Sequence, residues 1–278
     1  MVTADRPPAG SRSTLALVVA TNCLPLAGVV AFGWRVGELL AVYWIEVVVM
    51  VAAYSVAALF AERPIRLEDR SFYIVGYSED AERDEAVWGT DPEPIRLGSW
   101  LPPVYRRNAR VVVRSLGIFL FIAFPLGYVG ADALSYLTLT VGLATVGVCG
   151  AQVAEVRREF FAERAYENLS PYMVVEAAQR VVSFYVVIGM LTVPAVTVAL
   201  IAVQAVVGPG ALDPVAAAVG GKAVLLPYLI PITLAKATVE WSRRQAYHED
   251  DPDGIAAWFT GEDPRREWEK REDPSDDG

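Results

Sequence analysis

The chain is predicted to fold as an all-α integral membrane bundle of about six transmembrane helices, with a small irregular or β-hairpin cytoplasmic insert. Three observations carry this. About six apolar blocks are each long enough to cross ~30 Å of hydrocarbon at ~1.5 Å per residue. The arginines gather in alternate connections, as they do where basic loops stay in the cytoplasm. The composition, 54% hydrophobic with mean hydropathy +0.35 over 278 residues, is too apolar for an ordinary soluble domain.

The first block, 15–32, follows Arg6 and Arg12. It exceeds the apolar core of a secretory signal and lacks an A-x-A-like exit, so it reads as a span. Cys23 follows Thr21-Asn22 instead of the small residue a lipoprotein processing site requires. The remaining spans are predicted at 39–60, 111–128, 133–153, 181–207 and 215–239, within one membrane domain over 1–248.

Orientation follows from the basic flanks. The insert 62–110 carries Arg63, Arg66, Arg70, Arg83, Arg96, Arg106, Arg107 and Arg110, and the connection after the fourth span carries Arg157, Arg158, Arg164 and Arg180. The alternate connections hold only Arg35. Both termini are therefore expected in the cytoplasm of a multi-pass protein of the cell membrane. The external connections, 33–38, 127–132 and 208–213, are expected to be short turns.

Within the insert, the β-like run Ser71–Tyr77, the turn-rich Gly89–Pro94 and the Pro102-Pro103 break suggest a small hairpin. The insert is too short for an independent enzyme domain. Residues 155–167 continue the fourth helix or lie at the interface, and Ser170-Pro171 reads as an N-cap and first helical residue. The acidic tail 249–278 is expected to be mobile, with 255–259 able to form one docking turn.

The net charge of -9 excludes a typical nucleic-acid partner, which needs clustered bases to replace counterions. Bases other than Lys222, Lys236, Lys270 and His248 are all arginine. An acidic chain with arginine over lysine suggests a high-salt proteome or a GC-rich genome, the former favoured because acidic surfaces keep proteins soluble where salt screens weak charge. Cys23 and Cys149 lie in apolar runs and resemble small hydrophobic residues without a disulfide or metal-ligand pattern.

Asn22-Cys23-Leu24-Pro25-Leu26, Phe32-Gly33-Trp34, Leu39-Leu40 and the Tyr-Trp-x-Glu motif Tyr43-Trp44-Ile45-Glu46 resemble the opening of a family of uncharacterised prokaryotic membrane proteins known only as a domain of unknown function. Trp100–Asn108, and Lys236 with Glu240, resemble its haloarchaeal branch in particular. Similar proteins often place an acid or amide beside the equivalent of Glu46, where this chain has Val47. The resemblance covers most of the chain and implies a fold and a membrane address, without an activity.

Glu46 is the residue that most needs explaining. An ionised side chain at the centre of a spanning helix costs about 2.5–3.5 kcal/mol. Counted from the external turn, Glu46 lies ~12–15 Å deep, near the expected levels of Lys222 and Asn22, with Tyr43 one helical turn above it. The candidate intramembrane cluster is therefore Asn22, Tyr43, Glu46 and Lys222. It reads either as an ion or solute pathway or as a buried pair that fixes helix packing.

A second candidate cluster, Arg114, Gln152, Arg180, Lys236 and Glu240, lies near the cytoplasmic helix ends. It reads as snorkelling and capping side chains or as a pocket for an anionic lipid headgroup. Gly147 with Ala151, Ala216 with Gly220 and Ala217 with Gly221 suit close helix packing.

The inventory argues against catalysis. His248 is the sole histidine, and no GxSxG, phosphate loop or paired acidic magnesium motif occurs. No catalytic residue, metal or cofactor is expected. The expected partners are membrane lipid and an unidentified protein reached through the insert or tail. The function expected is transport of an ion or small solute; the alternative is a non-catalytic membrane scaffold or partner subunit.

Overall fold

In a computed structural model, described over residues 16, 19, 22–23, 26–29, 31–65, 67, 70, 72–78, 94–98, 101–134, 138–208, 210, 213–214, 226–248 and 252–261, regular structure is helical. The helices are α1 (Val36–Ala58), α2 (Asn108–Leu134), α3 (Leu139–Val156), α4 (Pro171–Val207), α5 (Leu226–His248) and α6 (Gly254–Phe259). A π-helical turn, Arg157–Ala162, extends α3, and a 3₁₀ turn, Ala165–Glu167, follows it. Residues 16, 19, 22–23, 26–29 and 31 are also helical.

Three of these helices are long and apolar enough to cross a membrane: Gly37–Ala58, Leu139–Ala162 and Pro171–Val207, with mean hydropathies of 2.0, 1.5 and 2.5. The last is apolar nearly all round beyond its first turns. Met190, Leu191, Val198, Ile201 and Val206 along it are all exposed. Such a surface differs from the one-sided stripe of a soluble surface helix.

Local chemistry sets the helix starts. Before α1, Gly33 adopts φ +73°, and the Glu38 carboxylate reaches back to accept the Arg35 N–H at 2.7 Å. That is one half of a capping box and satisfies an otherwise orphaned donor. Trp34 folds onto Gly28, where an added Cβ would lie 2.5 Å from the indole, so only glycine fits. At α4, Ser170 Oγ accepts the Met173 N–H at 3.3 Å ahead of Pro171, a serine cap before an N1 proline.

One expectation is corrected. The turn predicted at 127–132 lies inside α2, which continues to Leu134; glycines 127 and 130 are tolerated within a helix. Of the two forms expected for the insert, irregular or hairpin, the described residues take the irregular one: no strand occurs among them, 72–77 included. The described part of the insert has one isolated antiparallel bridge, Ile95 to Val104. Around the β-like run the backbone groups that a ladder would use are taken elsewhere. The Ile74 N–H donates to the Tyr172 hydroxyl at 2.8 Å, and the Tyr77 N–H closes onto Ile74 O at 3.0 Å across Gly76, whose φ is +88°.

Residues 215–225, part of the expected sixth span, lie outside the described set, as does most of the tail. Within the tail, α6 is docked: Ala256 and Phe259 are buried, and the Phe259 ring centroid lies 5.8 Å from that of Phe184.

The contacts divide the chain into two compact units. The first comprises Met1–Val42, Tyr136–Ala144 and Arg180–Thr260; the second comprises Tyr43–Ser135, Thr145–Gln179 and Gly261–Gly278.

Candidate functional site

In the second unit, Glu46 stands on α1 with only 5% of its surface exposed. One of its carboxylate oxygens accepts a hydrogen bond from Gln152 Nε2 on α3 at 3.1 Å. A polar contact thus joins two of the helices long and apolar enough to cross a membrane. In a low-dielectric medium such a bond is worth more than in water, and losing it costs more. Tyr43 is half-buried one turn earlier on α1.

This unit also holds a buried ion pair. Arg70 Nη1 lies 2.7 Å from Glu176 Oε2, and the two side chains are 1% and 0% exposed. The Arg70 guanidinium also sits 4.6 Å from the Tyr172 ring centroid. Tyr77 meets Tyr172 edge-on at 5.5 Å, and Arg114 lies over the other ring of that pair, 4.5 Å from the Tyr77 centroid. Gln179 Nε2 donates to Ser115 Oγ at 3.3 Å. Together these contacts fasten the insert to the first turns of α4 and to α2.

Asn108, at the start of α2, closes the end of α1. Its Nδ2 donates to the carbonyls of Ala58, Leu59 and Ala61 at 3.0, 3.2 and 2.8 Å. These oxygens lie at or just beyond a helix C-terminus, where carbonyls lack intrahelical partners.

In the first unit, Asn22 is 1% exposed and bridges two charged residues of α5. Lys236 Nζ donates to its Oδ1 at 3.0 Å, and its Nδ2 donates to Glu240 Oε2 at 2.6 Å. An ammonium can only donate and a carboxylate can only accept, so the neighbours fix the amide orientation. Arg244 completes the row with a 3.0 Å contact to Glu240 Oε1. Residues 236, 240 and 244 recur at i, i+4 and i+8 and share one helix face. Arg180 pairs with the docked tail: its Nη1 donates to Trp258 O at 2.6 Å, and the Trp258 indole N–H donates to Arg180 O at 3.2 Å.

Of the residues singled out from sequence, Asn22, Lys236 and Glu240 meet in one unit, and Glu46 and Gln152 in the other. Arg114 and Arg180 each engage an aromatic ring. Lys222 lies outside the described residues. The sequence reading passed over Arg70, Glu176, Tyr172 and Asn108. Glu176 carries a visible signal, an acid between Val174-Val175 and Ala177-Ala178. Arg70 had been counted only among the topogenic charges. Among the described residues, no group of three or more histidine, cysteine or acidic side chains is placed to hold a metal.

Residues 4–225 match a family of unknown function (DUF6498). No curated protein and no solved structure matches.

Proposed function

The chain belongs to that family, and from this premise we propose that it is a multi-pass integral membrane protein that moves an ion or small solute past the Glu46–Gln152 pair. The carrying observation is a buried acid in one long apolar helix hydrogen-bonded to an amide in another. Intramembrane acids are costly, and proteins that retain them commonly use them on ion or substrate pathways. The exposed apolar surface of α4 supports the membrane placement, since lipid covers such a surface without penalty and water does not. The proposed topology keeps six spans with both termini cytoplasmic, on the strength of the arginine distribution.

The test is proton and cation flux into liposomes containing the purified protein, native against Glu46→Gln. The variant preserves volume and hydrogen-bonding capacity while removing the charge. At least a tenfold loss of flux is expected. Equal flux from the variant, or none from the native protein, refutes the pathway.

A second reading, a membrane scaffold with structural polar contacts, is favoured by the row Lys236, Asn22, Glu240 and Arg244. Lys236 donates to Asn22, and Asn22 and Arg244 donate to Glu240, contacts expected of a packing device.

A further inference from the structure

Between the C-terminal half of α1 and the end of α3 runs a cleft of about 890 Å³, within the usual size of a small-ligand site. Its walls are almost entirely apolar and small-residue-rich. Val49, Ala53 and Val56 line one side, Val153 and Val156 the other, and among the described residues Arg157 is the sole charged lining residue. Val56 and Val153 remain 55% and 51% exposed, so the cleft opens sideways from two helices that are long and apolar enough to span a membrane.

Arg157 opens the π-helical turn at the end of α3. It is exposed, and it has no hydrogen-bond or ion-pair partner among the described residues. Its neighbour Arg158 is already paired with Glu159 at 3.2 Å. The cleft therefore combines an apolar furrow with an unneutralised, planar, bidentate donor at one end. Arginine of this kind matches a phosphate well. Among the described residues, no acidic side chain lines the cleft to compete for it.

We propose that this cleft is a binding site for an anionic phospholipid, with an acyl chain along the alanine and valine walls and the phosphate on Arg157. Charge complementarity selects the anionic head. The lateral opening selects a lipid, because the medium that meets α1 and α3 there is the bilayer. The proposal rests on the membrane placement given above and is independent of flux past Glu46.

The full-length protein in phosphatidylcholine nanodiscs is titrated with spin-labelled phosphatidylglycerol or spin-labelled phosphatidylcholine, and the immobilised fraction is read by electron paramagnetic resonance. One arginine near the surface predicts about a fivefold preference for the anionic lipid. Arg157→Gln is expected to bring the preference close to one, Arg158→Gln to leave it unchanged, and Ala53→Phe to lower immobilisation of both lipids by filling the furrow. Arg157→Gln is an exposed change, and circular dichroism checks that it folds. A preference that survives Arg157→Gln, or immobilisation that survives Ala53→Phe, overturns the site. Release of the protein from native membranes by alkaline carbonate overturns the membrane placement and the site together. Membrane retention without anionic preference overturns the site alone.

Discussion

Replacing Arg70 with methionine leaves the Glu176 carboxylate buried without its guanidinium, and the expected cost is large. The pair is 2.7 Å apart with side chains 1% and 0% exposed, so solvent screens it little. Removing one partner of a buried pair costs about 3–5 kcal/mol, chiefly because the remaining charge is stranded. The stacking of Arg70 over Tyr172 at 4.6 Å adds about 1–2 kcal/mol in a desolvated setting. The total, about 4–7 kcal/mol, is comparable with the whole stability of many domains. The assay is equilibrium unfolding in mixed detergent micelles, followed by tryptophan fluorescence, for Arg70→Met, Glu176→Leu and the double variant. If stranded charge is the cause, the double variant recovers most of what either single loses, because two apolar side chains of similar volume need no partner. A loss below about 1 kcal/mol in both singles, or a double variant as unstable as the summed singles, refutes the reasoning.

Asn108→Ala removes a donor shared by three carbonyls at the end of α1; a loss of about 2–3 kcal/mol is expected in the same unfolding assay. Asn22→Leu breaks the bridge between Lys236 and Glu240; it is expected to cost about 1–3 kcal/mol while leaving liposome flux unchanged. Lost flux from the folded variant would show that the bridge is more than packing. The proposed topology predicts that Ser99→Cys, in a background without Cys23 and Cys149, is labelled only after permeabilisation. Labelling from outside intact cells would reverse the orientation.

The local rules were readable in the chain because they operate over a few residues. Ser170-Pro171 marks the start of α4 since a cap and an N1 proline need only the first turn, and Gly33 marks the break before α1 since positive φ is cheap for glycine. Three of the six apolar runs were equally legible as helices long enough to cross a membrane, because length against hydrocarbon thickness is a property of one segment. The β-like run Ser71–Tyr77 misled for the opposite reason: its aromatic and β-branched composition suited a strand, yet Tyr172, about a hundred residues away, claimed the Ile74 N–H. Propensity gives way where a distant side chain supplies the better hydrogen bond.

The polar partners show the same division. Glu46 was conspicuous from sequence because an acid in an apolar run is expensive wherever the run sits. Counting depth along helices put Asn22 at its level, but depth specifies only one coordinate, and the direction in which a side chain points depends on helix rotation and packing. In the folded chain Asn22 serves Lys236 and Glu240, and Glu46 receives Gln152. The residue types and their burden of burial were thus determined by the sequence, through hydrophobicity and charge acting residue by residue. Their pairing was decided by tertiary structure, because a hydrogen bond requires two groups within about 3 Å, a condition that only the packed helices can meet.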